Sequence, residues 1–175
     1  HSVFGEVETV TIGSQAPALG GTLANVNGDI YLQGGGTASL VVDDSGTTAE
    51  RTATVTATDV KWQSPATIHW LPGEVNSVTL NWGSGNDLIY VESTAADVTT
   101  VINGGDGNDT FVSSSLDALR GPLSLHGQGG PINYPLLYDY KNPVGQTYTL
   151  TADQVRRAGK ADITFDGMIQ LILYT

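Results

Sequence analysis

The chain has 175 residues, with thirteen Asp and five Glu against seven Lys and Arg, and a formal charge of −11. This charge argues against binding to nucleic acid or to anionic membrane surfaces, because both need clustered positive charge. Cysteine is absent, which excludes a disulfide framework and a thiolate metal site, and no apolar run approaches the roughly 20 residues that cross a bilayer.

Short runs of apolar, β-branched and Thr residues recur along the chain, and Gly, Pro, Asn and Asp separate them. Such runs predict strands. The predicted strands are 7–12, 29–33, 39–43, 52–58, 66–71, 75–82, 88–92, 98–103, 110–114, 122–126, 136–140, 146–151, 161–166 and 168–174. Only 114–120 and 152–158 carry enough Ala, Leu, Gln and Arg for a short helix, and each could equally be a loop.

Two Gly/Asp-rich turns lie near the middle of the chain. Residues 104–112 fit the nine-residue calcium-binding pattern G-G-x-G-x-D-x-U-x at every specified position, where U is a large apolar residue. Residues 82–90 lack only the first glycine of this pattern, and they precede the second copy by a constant step, from Asp87 to Asp109. Another such step reaches Gly127 and Gly129 but places Pro131 where the aspartate should be. We therefore expect a third turn of similar shape without the acidic ligand.

A longer repeat is superimposed on the shorter one. Residues 28–80 can be aligned with 121–173, with only small changes of offset along the way. Long units that contain shorter steps are typical of a parallel β-helix in which stacked neighbours bury one core. We predict an all-β protein with a right-handed parallel β-helix, or β-solenoid, whose coils have about 20–23 residues with some longer loops. A β-sandwich is the alternative, because it also has many short strands.

The two turns carry the chemistry expected of a calcium site. Calcium takes six to eight oxygen ligands, and tight glycine turns can supply carbonyl oxygens beside a carboxylate. The candidate metal ligands are Gly83, Gly85, Asp87, Gly104, Gly105, Gly107 and Asp109. Stacking of the turns about 4.8 Å apart would combine two half-sites into one weak site. The alternative is that Asn86, Asp87, Asn108 and Asp109 cap backbone amides without a metal.

These residues resemble the repeats-in-toxin (RTX) nonapeptides of secreted bacterial proteins, which form parallel β-rolls with calcium between successive turns. The resemblance covers 104–112 and 82–90. It departs from the family in spacing, since same-side turns of the family are two nonapeptides apart, a shorter step than the one from Asp87 to Asp109. The whole chain is similar to large repetitive exoproteins of bacteria, in which such phrases alternate with longer β units. That resemblance implies secretion or cell-surface attachment, and a structural or adhesive role.

Other residue groups point to weaker alternatives. Trp62, Trp70, Trp82, Tyr138 and Tyr140 could form a sugar-stacking surface, although core packing explains them as well. Asp43, Asp44 and Asp139 could serve a glycoside hydrolase, and Arg156 and Arg157 a polysaccharide lyase, but they have no convincing partners. His1, His69 and His126 show no paired metal spacing, and His1 could be a tag remnant. Thr52 to Thr58 alternate as in ice-binding solenoids, an arrangement also ordinary for an exposed strand.

We therefore expect a single β-solenoid domain over residues 1–175, a fragment of a longer repetitive protein. Its expected role is structural or adhesive, with calcium as the partner and no enzymatic activity. A carbohydrate-binding module is the alternative function, followed by a polysaccharide lyase or hydrolase. Further expected partners are a cell-surface or matrix polysaccharide and a second copy joined end to end or at a sheet edge.

Overall fold

A computed structural model describes residues 8–33, 38–141 and 143–175 of the chain. This part is all-β, with sixteen strands and no helix. It contains no helix that is long and apolar enough to cross a membrane. The strands are β1 (Glu8–Ile12), β2 (Ile30–Leu32), β3 (Ala38–Asp43), β4 (Thr52–Val55), β5 (Asp59–Lys61), β6 (Thr67–Trp70), β7 (Val75–Asn81), β8 (Leu88–Val91), β9 (Thr99–Asn103), β10 (Thr110–Ser113), β11 (Leu123–His126), β12 (Tyr134–Tyr138), β13 (Tyr148–Leu150), β14 (Gln154–Arg157), β15 (Ile163–Asp166) and β16 (Ile172–Tyr174).

The strands form two sheets of eight. The first sheet has the order β1-β3-β7-β9-β11-β15-β14-β13, and the second has the order β16-β12-β10-β8-β4-β5-β6-β2. From β7 to β12 each successive strand lies in the other sheet, and each of the strands β7 to β10 pairs in parallel with the strand two places later. Both sheets are mixed, because β5 and β14 pair antiparallel with their neighbours.

The step between paired strands follows the predicted value and then lengthens. Ser77 pairs with Thr99 and Leu88 with Thr110, the same step as from Asp87 to Asp109. The next pair in the first sheet, Thr100 with Leu123, is one position longer. In the second sheet, Thr110 pairs with Tyr134, which lies two positions beyond the residue that the constant step would give. The predicted step is therefore confirmed for the first two turns, whereas the third contains additional residues.

The long internal repeat corresponds to a repeated pattern of strand pairing. In the first copy, β2 pairs with β6 and β3 with β7 in parallel, while β4, β5 and β6 form an antiparallel series. In the second copy, β11 pairs with β15 and β12 with β16 in parallel, and β13, β14 and β15 form the antiparallel series. The two copies exchange sheets, since β3 lies in the first sheet and its counterpart β12 in the second. Sequence alignment detects the copies but not this exchange.

Neither of the two segments for which helix and loop are equally expected is a helix. Residues 152–158 contain β14, a strand, because Val155 is buried and pairs with Ile163 of β15. Residues 114–120 form a turn, in agreement with the loop alternative. The short strand β5 follows directly after the predicted run 52–58. The predicted strand at 7–12 begins at a residue outside the described part of the chain.

Inward side chains of successive strands stack into ladders that form the core. In the first sheet the paired residues Ile12, Val42, Leu80, Ile102, Leu125 and Phe165 make one such ladder, and all are buried. Ile89 and Phe111 are paired and buried in the second sheet. Each such side chain contributes about 1.5–3 kcal/mol through removal of its apolar surface from water. The turns that connect the sheets are therefore held at fixed positions by the strands on either side.

Candidate functional site

The predicted metal residues lie in two stacked turns that connect the first sheet to the second. One turn runs from β7 to β8 and contains Gly83, Gly85 and Asp87. The other runs from β9 to β10 and contains Gly104, Gly105, Gly107 and Asp109. The backbone amide of Asp106 donates a hydrogen bond of 3.0 Å to the carbonyl oxygen of Gly83. The structure thus brings the two sets of predicted residues together.

Glycine is required in these turns because the backbones of neighbouring turns touch. A Cβ atom on Gly105 would lie 1.9 Å from the carbonyl oxygen of Gly83, and one on Gly107 would lie 2.1 Å from that of Gly85. Gly105 and Gly107 also have positive φ angles of 88° and 107°. Positive φ is strained for residues with a side chain. Gly104 is not among the residues with positive φ, but a Cβ there would lie 2.3 Å from Asp109 Oδ2.

The two aspartates form a ladder with backbone amides. The amide of Arg51 donates to Asp87 Oδ1 at 2.7 Å, and the amide of Asp87 donates to Asp109 Oδ1 at 2.9 Å. The amide of Asp109 in turn donates to Asn133 Oδ1 at 2.6 Å. One oxygen of each carboxylate therefore caps the neighbouring turn, which is the role expected without a metal.

The asparagines beside the aspartates form a second ladder nearer the surface. The amide of Asn108 donates to Asn86 Oδ1 at 2.8 Å, and the amide of Ile132 donates to Asn108 Oδ1 at 3.0 Å. Asn86 Nδ2 also donates to Glu50 Oε1 at 3.3 Å. These side chains stabilise the turns through hydrogen bonds, and their oxygens are already used.

The second oxygen of each aspartate has no partner. Asp87 and Asp109 are 2% and 0% exposed, and the Oδ2 atoms of both are buried without a hydrogen bond. A buried carboxylate oxygen with no donor is costly, by about 1–3 kcal/mol or more for a charged group. A proton or a bound cation would remove this cost.

The same burial raises the pKa values of both carboxyl groups. Burial raises the pKa of Asp87 to about 7, against the hydrogen bond from the Arg51 amide and with help from the nearby Asp109 carboxylate. Burial also raises the pKa of Asp109 to about 6, opposed by the hydrogen bond from the Asp87 amide and assisted by Asp106. Both carboxyl groups therefore release their protons near neutral pH.

These shifts predict how the stability of the metal-free protein depends on pH. The folded pKa values lie above the ordinary value of 3.8. The contribution of the two groups to the free energy of unfolding is therefore fully present below about pH 4. Their contribution is lost as pH rises through about 6 to 7. In EDTA, unfolding temperatures of the protein should thus fall between pH 5 and 8 relative to those of an Asp87→Asn/Asp109→Asn variant. Parallel curves for the two proteins would contradict the raised pKa values.

The position that aligns with Asp109 in the third turn is Asn133, not Pro131. Thr110 pairs with Tyr134, so the residues directly before these two correspond to each other. The step from β10 to β12 is longer than the step from β8 to β10, and a constant step therefore misses Asn133. A signal is present in the sequence, because each of the three polar residues directly precedes an apolar strand of the second sheet.

The described residues hold no group of three or more His, Asp or Glu side chains arranged to bind a metal ion. Any cation in these turns would therefore be held mainly by backbone carbonyl oxygens, with one or two carboxylates. Calcium accepts such ligands, but a small number of carboxylates lowers its affinity.

The acidic residues considered for catalysis have structural contacts. Asp44 Oδ1 accepts from the amide of Leu23 at 2.7 Å, and Asp44 Oδ2 contacts Arg51 Nε at 2.6 Å. Asp43 Oδ2 accepts from the amide of Gly21 at 2.7 Å. Asp139 is paired with Arg157 inside the protein. The structure does not bring Asp139 into this Asp43/Asp44 contact network.

The remaining candidates divide into buried and exposed groups. Trp62, Trp70 and Trp82 are at most 5% exposed and pack in the core, so they offer no sugar-stacking surface. Tyr138 stacks on Tyr174 with ring centroids 4.6 Å apart, and Tyr140 is 58% exposed. The two described histidines have different partners: His69 is hydrogen-bonded to Asp59 and His126 to Asp166. His1 lies outside the described residues.

The chain matches no protein-family model, no curated protein and no solved structure. Its function must therefore be inferred from the geometry described above.

Proposed function

We propose that the chain is a structural or adhesive module built as a right-handed parallel β-solenoid, a single domain of a longer repetitive protein. Support comes from strands that alternate between two sheets at a nearly constant step and pair in parallel with the strand two places later. Parallel crossovers are right-handed in nearly all proteins. The strands β5 and β14 are additions to this arrangement, each inserted as an antiparallel strand.

The module binds calcium weakly in its stacked Gly/Asp turns. The observation that carries this proposal is the pair of buried Oδ2 atoms, on Asp87 and Asp109, that have no hydrogen-bond donor. Calcium would supply the positive charge that these oxygens lack. The carbonyl groups of Gly85, Gly104 and Gly107 are the further ligands proposed. Those of Gly83 and Gly105 already accept hydrogen bonds from the amides of Asp106 and Gly129 and would bind the ion through their second lone pair.

Calcium would act by linkage to folding. An ion that binds the folded turns better than the unfolded chain stabilises the fold by RT ln(1 + [L]/Kd). Sites with few carboxylates in extracellular modules have Kd values of about 0.1–1 mM. Ten times that concentration therefore adds about 1.4 kcal/mol. This is useful for a secreted or surface-attached protein, because the stabilisation applies where calcium is plentiful.

Thermal unfolding at pH 8 in EDTA and in 5 mM calcium tests this proposal. We expect calcium to raise the unfolding temperature by roughly 3–5 °C. Asp109→Asn should reduce this shift, because the side-chain amide has no negative charge to attract the ion. Its hydrogens can instead donate to carbonyl oxygens of the turn. Magnesium at the same concentration is the control, since it demands a smaller octahedral site. The absence of a shift, or an equal shift in the variant, would remove calcium from the proposal.

A carbohydrate-binding module is a second candidate, supported by the exposed Tyr140 beside the Tyr138–Tyr174 stack. Exposed aromatic rings can stack on the apolar faces of sugars. Glycan-array binding that is lost in Tyr140→Ala would favour this candidate over a purely structural role. The buried tryptophans do not contribute to it.

A further inference from the structure

The third turn, between β11 and β12, contains an amide where the first two contain a carboxylate. Asn133 is fully buried, and its Nδ2 atom lies within hydrogen-bond distance of four carbonyl oxygens that surround it. The distances are 3.0 Å to Gly127, 2.9 Å to Gly129, 3.5 Å to Gly130 and 3.2 Å to Gly167. Carbonyl oxygens therefore converge on the interior of this turn from its own backbone and from the segment stacked beyond it.

Asn133 Nδ2 corresponds in position to Asp109 Oδ2. In both residues the Oδ1 atom accepts a hydrogen bond from the aligned backbone amide of the preceding turn. A Cβ atom on Gly104 would lie 2.3 Å from Asp109 Oδ2, and one on Gly127, the first glycine of the third turn, would lie 2.7 Å from Asn133 Nδ2. The second side-chain atom thus enters the same part of each turn.

The two atoms have opposite electrostatic character at this position. The amide nitrogen presents two hydrogens, each with partial positive charge, to the carbonyl oxygens. A carboxylate oxygen carries no hydrogen, so neither this oxygen nor the nearby carbonyl oxygens have a positively charged neighbour. A turn with asparagine therefore contains its own donor, whereas a turn with aspartate needs one from outside.

We propose that Asn133 determines where the row of calcium sites ends, because its amide nitrogen takes the place that the ion takes in the first two turns. This inference rests on the proposed calcium binding and assigns its specificity to a single atom of one side chain. The ligand is a hard divalent cation. The residue directly before β8, β10 or β12 selects between a bound cation and none in the turn that it ends. The predicted number of cation-dependent turns in this chain is two.

Asn133→Asp tests the inference, with Asn108→Asp as the matched control. Both substitutions add one negative charge to neighbouring turns, but Asn108 is exposed and its side chain lies outside the turn interior. In EDTA at pH 8, Asn133→Asp should lower the unfolding temperature by roughly 5 °C, because a buried carboxylate then faces carbonyl oxygens. In 5 mM calcium it should recover most of this loss, so that its calcium shift exceeds that of the unchanged protein. Asn108→Asp should show the calcium shift of the unchanged protein.

The comparison separates failure of this inference from failure of the proposed function. If the unchanged protein responds to calcium but Asn133→Asp responds no more strongly, the role of Asn133 is wrong and calcium binding stands. If the unchanged protein does not respond, calcium binding at the two natural turns is wrong, and the inference about Asn133 falls with it even where Asn133→Asp responds.

A second variant covers the case in which Asn133→Asp does not fold. Asp109→Asn should be more stable than the unchanged protein in EDTA at pH 8, with an unfolding temperature a few degrees higher, because its amide replaces the missing positive neighbour. An unfolding temperature lower than that of the unchanged protein would overturn the inference.

Discussion

Gly105→Ala should lower the free energy of unfolding by about 3 kcal/mol or more, whereas Gly73→Ala should lower it by only about 1 kcal/mol. Both glycines have positive φ angles, 88° at Gly105 and 86° at Gly73. The difference is the surroundings: a Cβ on Gly105 would lie 1.9 Å from the carbonyl oxygen of Gly83, and one on Gly73 would meet nothing within 4 Å. Chemical denaturation of the two variants measures the effect.

The Gly73 variant isolates the contribution of close turn stacking from that of backbone strain. The strain is the same in both variants, so any excess loss at Gly105 comes from the contact with the neighbouring turn. Equal decreases in the free energy of unfolding for the two variants would show that the backbones of neighbouring turns are not in close contact.

Arg157→Met should destabilise the protein by about 3–5 kcal/mol, because it leaves a buried carboxylate without its cation. Arg157 and Asp139 form an ion pair with side chains 2% and 1% exposed. Among the described residues, Asp139 would then keep only the hydroxyl of Tyr148, which donates at 2.5 Å. Arg157 also contacts the half-exposed Asp117, a weaker contribution because water screens it.

Arg156→Met is the matched control for this prediction. Arg156 is the preceding residue on the same strand, but it is 57% exposed and pairs with the exposed Asp162 at 2.9 Å. Exposed ion pairs contribute at most about 1 kcal/mol. A loss at Arg157 no larger than the loss at Arg156 would mean that the Asp139 carboxylate is solvated in solution.

Most of the strands could be predicted from the sequence because their signals are local. Alternating β-branched and apolar residues, bounded by Gly and Asp, identify β7 to β11 near their observed positions. The constant step between the first two turns is also visible, since the carbonyl oxygen of Thr47 leaves no room for a Cβ at Gly83, and that of Gly83 leaves none at Gly105. These features depend on the residues near each strand and on a simple repeat.

The features that could not be predicted depend on pairing between distant segments. β14 has a helix-like composition, and its pairing with β15 overrides that preference. The exchange of sheets between the two long repeats leaves no mark on an alignment, because both copies alternate in the same way. A constant step misaligns the third turn, because additional residues precede β12 and only the strand register reveals them.

The candidate site was predicted in part. The residues Asp87 and Asp109 lie together as expected, yet the roles of their two oxygens differ, and sequence alone does not separate them. One oxygen accepts a hydrogen bond from the neighbouring turn, as the explanation without a metal predicts. The other oxygen has no hydrogen-bond partner. Capping therefore accounts for one oxygen of each carboxylate, and the other oxygen is the one that the proposed calcium ion would contact.

Calorimetric titration of calcium into the protein and into Asp87→Asn/Asp109→Asn tests the central proposal most directly. The double variant should remain folded, because Asn133 shows that an amide fits the same position in the third turn. We expect saturable calcium binding to the unchanged protein, with a Kd of about 0.1–1 mM, and none to the double variant. Equal binding to both proteins, or no binding to the unchanged protein at 10 mM calcium, would contradict calcium binding at these turns.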